Sequence, residues 1–74
     1  MKNPLPKREQ QIMELIWFGH PLVTIADALW LSQKTVETYW LRVKAKLDAL
    51  SHRREIHNKI RACRFMLAHG WLKP

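Results

Sequence analysis

The chain is poor in several things that would announce other kinds of protein. It holds one cysteine, Cys63, so no disulfide can close within it, and a lone thiol suits a reducing cytoplasm. No apolar run approaches the roughly 20 residues that span a bilayer. The opening Met1-Lys2-Asn3-Pro4-Leu5-Pro6-Lys7 lacks the apolar segment of a secretion signal. A cytoplasmic protein with no membrane partner is the expectation. There are two glycines, and neither sits in a phosphate-cradling loop or a nucleophile elbow. Acidic residues number six, with no pair placed for acid–base work. No enzyme and no cofactor are therefore expected. His52, His57, Cys63 and His69 fall at spacings of five, six and six, which scatter around one helix instead of converging as paired ligands do, so no metal is expected.

What the chain does have is apolar content and positive charge. Hydrophobic residues make up 47% of its 74 residues, too many for a disordered tail. The length suits one domain whose core is marginal, and a second subunit would help to stabilise it. Thirteen Lys and Arg face six Asp and Glu, a formal charge of +7. The excess is not spread evenly. From Lys34 onward come Lys34, Arg42, Lys44, Lys46, Arg53, Arg54, Lys59, Arg61, Arg64 and Lys73, opposed only by Glu37, Asp48 and Glu55. A field of that sign favours a polyanion as partner.

Apolar spacing predicts an all-α fold of four helices. Helix one spans Lys7 to Phe18 on the stripe Ile12, Leu15 and Ile16, and Gly19-His20-Pro21 stops it. Helix two runs from about Leu22 to Trp30 and buries Ile25, Ala26 and Leu29, with Thr24 as an alternative cap. Ser32, whose hydroxyl can accept from open backbone N–H groups, caps helix three, Gln33 to about Leu47. Asp48 to His52 make a connection, and helix four runs from Arg53 to about His69, stopped by Gly70. The four tryptophans read most simply as core and interface anchors.

On helix three, Val36, Trp40, Val43 and Leu47 share a narrow arc, the core face. Opposite lie Lys34, Glu37, Thr38, Leu41 and Ala45, with Thr35, Arg42 and Lys46 on one flank and Lys44 on the other. Small and polar residues between flanking cations suit a helix that enters a major groove, and they also suit an ordinary solvated face. The short helix, tight turn and Ser-capped basic helix tip the balance towards double-stranded DNA.

Three ordered stretches resemble the DNA-binding domain of the LuxR/GerE-type regulators, found also in NarL/FixJ-type response regulators. They are Leu5-Pro6-Lys7-Arg8-Glu9; Ile25-Ala26 followed by Leu29-Trp30-Leu31-Ser32; and Ser32-Gln33-Lys34-Thr35-Val36-Glu37-Thr38 with the later Lys46-Leu47. The resemblance implies a single helix-turn-helix domain over residues 1–74, the motif itself at about 22–47, in a bacterial or phage-encoded protein. It implies that Glu37, Thr38 and Leu41 face bases, while Lys34, Thr35 and Lys46 hold phosphates; Arg42 and Lys44 on the flanks, and Ser32 at the cap, are expected to face phosphate as well. It makes the C-terminal helix, 53–69, a homodimer contact; the broad apolar stripe that includes Ile56 points to Ile60, Cys63, Met66 and Leu67 for that contact, the alternative being that the stripe serves only the core. The chain departs from the family pattern at Thr24, Tyr39 and the turn Lys46 to His52, which has no glycine and one extra residue. No sensory domain precedes the motif, so control by abundance is expected, as a repressor or autoregulator. The rival reading is a module that binds RNA polymerase or another regulator without reading DNA.

Overall fold

The computed structural model describes residues 2–51 and 56–73. Four helices follow in order, α1 Lys7–Trp17, α2 Leu22–Leu29, α3 Gln33–Leu50 and α4 Lys59–Ala68, with no strand among the described residues. The all-α, four-helix fold is the one that apolar spacing predicts.

Each helix starts where the local sequence offers a reason. Pro6 and Pro21 occupy the N-cap positions of α1 and α2 in extended conformation, with ψ of 161° and 162°. Proline fixes φ and has no N–H to leave unpaired, so it can enter a helix only at its start. Pro21 therefore begins α2 at Leu22, and Thr24 lies inside the helix instead of capping it. Ser32 caps α3: its Oγ accepts from the Thr35 backbone N–H at 3.1 Å and lies 2.8 Å from Thr35 Oγ1.

Three of the helices end by one device. In a Schellman closure, a residue in the left-handed region turns the chain while two N–H groups return to open carbonyls. At the end of α1, Gly19 (φ 94°) donates to Ile16 and His20 donates to Leu15. After α4, Gly70 (φ 76°) donates to Leu67 and Trp71 to Met66. After α2 the same two bonds form, Trp30 to Asp27 and Leu31 to Ala26, but the left-handed residue is Trp30 (φ 58°).

Two corrections fall on the C-terminal half. Helix α3 continues through Asp48, Ala49 and Leu50, so the expected connection begins three residues later, and Lys44 and Asp48 form an i, i+4 ion pair on it at 3.4 Å. Helix α4 starts at Lys59, not Arg53. Ile56, His57 and Asn58 are not helical, and the Asn58 side chain accepts from the Arg61 N–H at 2.9 Å, a proper N-cap. Arg53 and Arg54 lie outside the described residues.

The core has two adjoining parts. Ile12, Ile25, Ala26 and Val36 join the first three helices. Met13, Trp40, Val43, Leu47, Ile56, Ala62, Cys63, Met66 and Leu72 join α1, α3 and α4. The C-terminal segment is tied back onto α1, where Gln10 Nε2 donates to the Trp71 carbonyl (2.7 Å) and Trp17 Nε1 donates to that of Lys73 (3.0 Å). This scaffold packs α2, the turn and α3 against α1 and leaves the outer face of α3 in solvent.

Candidate nucleic-acid interface

Burial along α3 separates two faces. Val36, Trp40, Val43 and Leu47 are interior, and Lys34, Thr38, Leu41, Arg42 and Ala45 are exposed. At about 100° per residue, Lys34, Thr38, Leu41 and Ala45 fall within about 60° of one another, a straight row along the outer face. Glu37, half-buried, flanks the row on one side, and Arg42 flanks it on the other, its guanidinium 5.5 Å from the centre of the Tyr39 ring. Thr38 Oγ1 donates to the Lys34 carbonyl at 3.0 Å, so its hydroxyl proton is turned back onto its own helix.

The cations expected to hold phosphate are not equivalent. Lys34 stands exposed in the first turn of α3 and has no ion pair among the described residues. Ser32 and Thr35, at the same end, are joined to each other by the cap. Lys46 is committed elsewhere, since its Nζ donates to Glu9 Oε1 of α1 at 2.7 Å. Glu9 is only 4% exposed, and Lys46 is the cation that neutralises it. An uncompensated buried carboxylate is costly, so this pair joins α1 to α3 before it can serve a ligand. Lys44 is engaged more loosely with Asp48 on its own helix.

The expected dimer-contact residues also divide. Cys63 and Met66 are 1% and 0% exposed, enclosed in the core of a single chain, so they are not surface contacts. Burial pushes the Cys63 thiol up to about 11, away from reactive thiolate chemistry. Leu67 is partly buried against the same core, while Ile60 projects from α4, 65% exposed. The reason lies in the start of α4: with Ile56 off the helix and packed inward, the buried stripe is Ala62, Cys63 and Met66, and Ile60 is left outside it. Among the described residues no cluster of three or more His, Cys, Asp or Glu could hold a metal.

Two features had no clear signal in the sequence. The Glu9–Lys46 pair spans 37 residues, beyond the reach of helical spacing. Trp30 is 95% exposed, the opposite of a core anchor. It borders a cleft with Lys7, Arg8 and Leu29, and Phe18 also lies exposed on the α1–α2 side. The preference of left-handed caps for glycine gives no hint of a tryptophan there. Trp40, by contrast, is buried, with Lys59 Nζ 5.2 Å from its ring centre.

A capped, solvent-facing helix held by two others across a tight turn defines the class, a helix-turn-helix protein. The family model described as bacterial regulatory proteins, luxR family, matches residues 3–59. The chain belongs to that family, and its helix-turn-helix is that of a DNA-binding transcription regulator. It is 47% identical over 49 residues to the uncharacterized response regulatory protein YgeK of Escherichia coli (strain K12), a match that covers 66% of this chain. The chain spans about a third (33%) of that relative's length. No solved structure matches it. Among the described residues, no helix is long and apolar enough to cross a membrane.

Proposed function

We propose that the chain binds double-stranded DNA with sequence selectivity, placing the outer face of α3 in the major groove, and regulates transcription as a homodimer in the bacterial cytoplasm. The observation that carries this is the Ser-capped, solvent-facing start of α3: Lys34 has no ion pair among the described residues, Thr38 and Leu41 are exposed, and nothing from α1, α2 or α4 covers them. Glu37, Thr38 and Leu41 face the bases in this reading. Ser32, Lys34, Thr35 and Arg42 lie along the phosphates, with Lys34 the principal cation. Lys44 and Lys46 contribute through the field of the fold more than through direct contact. Pairing of subunits falls on the outer side of α4 around Ile60. Occupying an operator is enough to exclude polymerase, so repression, including of the protein's own gene, is the simplest output.

One observation favours a second reading, contact with RNA polymerase or another regulator without DNA reading. Trp30 and Phe18 leave aromatic surface exposed away from the outer row of α3. Charge reversal at Lys34 separates the two, abolishing function in the first and sparing it in the second. Lys46 is unsuitable for that purpose because it also neutralises Glu9. The direct test is binding of the purified protein to duplexes from a random library at two salt concentrations with competitor. Selective complexes that weaken steeply with salt support the DNA reading. Equal, weak binding to every duplex overturns it.

A further inference from the structure

The outer row of α3 has an unusual chemical property for a face that reads bases. Direct readout in the major groove rests on hydrogen bonds to base edges and on apolar contact with the C5-methyl group of thymine. The strongest polar readers are Arg or Lys on guanine and Asn or Gln on adenine. Past Lys34, the row Thr38, Leu41, Ala45 contains none of these. Leu41 is alkyl throughout and 55% exposed, and Ala45 is a single exposed methyl. Thr38 has a hydroxyl, but its proton goes to the Lys34 carbonyl, which leaves a methyl group, and an oxygen that can only accept, to meet a ligand. Two polar side chains flank the row: Glu37, a half-buried acceptor that gains nothing from the acceptor edges of guanine, and Arg42, whose guanidinium lies 5.5 Å from the centre of the Tyr39 ring and which falls along the phosphates in the reading above.

We propose that this protein recognises its operator mainly through thymine methyl groups, with Thr38 and Leu41 as the specificity-determining residues. The inference rests on the DNA-binding reading above and deepens it. The methyls of Leu41 and Thr38 lie three residues apart on one line of the helix, so they meet two neighbouring positions of one groove. Ala45, further along the row, keeps the helix close to the duplex without adding a polar reader. Lys34, at the head of the row, anchors the helix to phosphate. A half-site with at least two adjacent or near-adjacent thymines, counted over both strands, is the required ligand.

Uracil provides the test, because replacing thymine by uracil in a duplex removes the C5-methyl and leaves every hydrogen-bonding edge unchanged. Binding sites are first selected from random duplexes with the full chain. Thymines of the selected site are then exchanged for uracil one at a time, and affinity is measured by fluorescence anisotropy. The expected result is a loss of about three- to tenfold at each of two positions per half-site, and no loss elsewhere. Leu41→Ala should bind more weakly and lose its sensitivity to uracil at one of those positions. Thr38→Ser, which keeps the hydroxyl and deletes the methyl, should lose sensitivity at the other, while Thr38→Val should retain it. Both residues are exposed, and circular dichroism confirms that each variant is folded. A selected site whose uracil forms bind as well as the parent overturns the inference and leaves DNA reading intact. So does a uracil penalty that survives in both Leu41→Ala and Thr38→Ser. Failure to select any site removes the DNA-binding reading itself, an outcome distinct from either.

Discussion

The two ends of α3 both carry lysine and do different work. The N-terminal end, from Ser32 to Leu41, is capped, has its outer face exposed and holds Lys34, which has no ion pair among the described residues. The C-terminal end holds Lys44 and Lys46, which are spent on Asp48 and on the buried Glu9. Counting cations along a basic helix therefore overstates its anion-binding surface. A lysine that neutralises a buried carboxylate belongs to the fold, and one without a partner is available to a ligand.

The comparison can be broken most forcefully at Lys46. Lys46→Met strands Glu9 and should lower stability by about 2 kcal/mol, because the half-exposed lysine lets water temper the roughly 3–5 kcal/mol of a fully buried pair. Urea unfolding measures this, and Glu9→Leu combined with Lys46→Met should recover most of the loss. At the other end, Ser32→Ala removes the cap of α3 and should cost about 1 kcal/mol by the same measurement. The turn that leads into α3 offers a change of opposite sign. Trp30→Gly relieves a left-handed tryptophan and should raise stability by up to about 1 kcal/mol, the gain limited by the greater freedom of glycine in the unfolded chain. The smallest effect belongs to Lys44→Met, whose exposed helical pair with Asp48 should matter by no more than about 0.5 kcal/mol.

Legibility follows the same division. The first three helices could be placed from sequence because their punctuation is local: Pro6, Gly19 to Pro21 and Ser32 each act within a few residues. The two faces of α3 were legible for a similar reason, since a helix fixes the angular position of every side chain once its register is known. The start of α4 was hidden because Ile56 keeps the apolar spacing of Ile60 and Cys63 while lying outside the helix. An apolar residue in an irregular segment can pack into the core as well as a helical one. Asn58 was the available signal, a good N-cap three residues before Arg61. That shift turns Cys63 and Met66 inward and leaves Ile60 outside, so the expected dimer surface shrinks to its most exposed member. The Glu9–Lys46 pair could not be read at all, because a contact between α1 and the far half of α3 exists only once the helices have packed.

The central claim is that the free N-terminal end of α3 binds DNA while the lysines at its other end serve the fold. The measurement that tests it most directly is the salt dependence of binding to a selected duplex by the parent chain, Lys34→Met and Lys44→Met. The account predicts that Lys34→Met weakens binding and reduces the slope of log affinity against log salt by about one phosphate contact. Lys44→Met should leave the slope nearly unchanged. Equal slopes for the parent and Lys34→Met, or a larger change in Lys44→Met than in Lys34→Met, would contradict it.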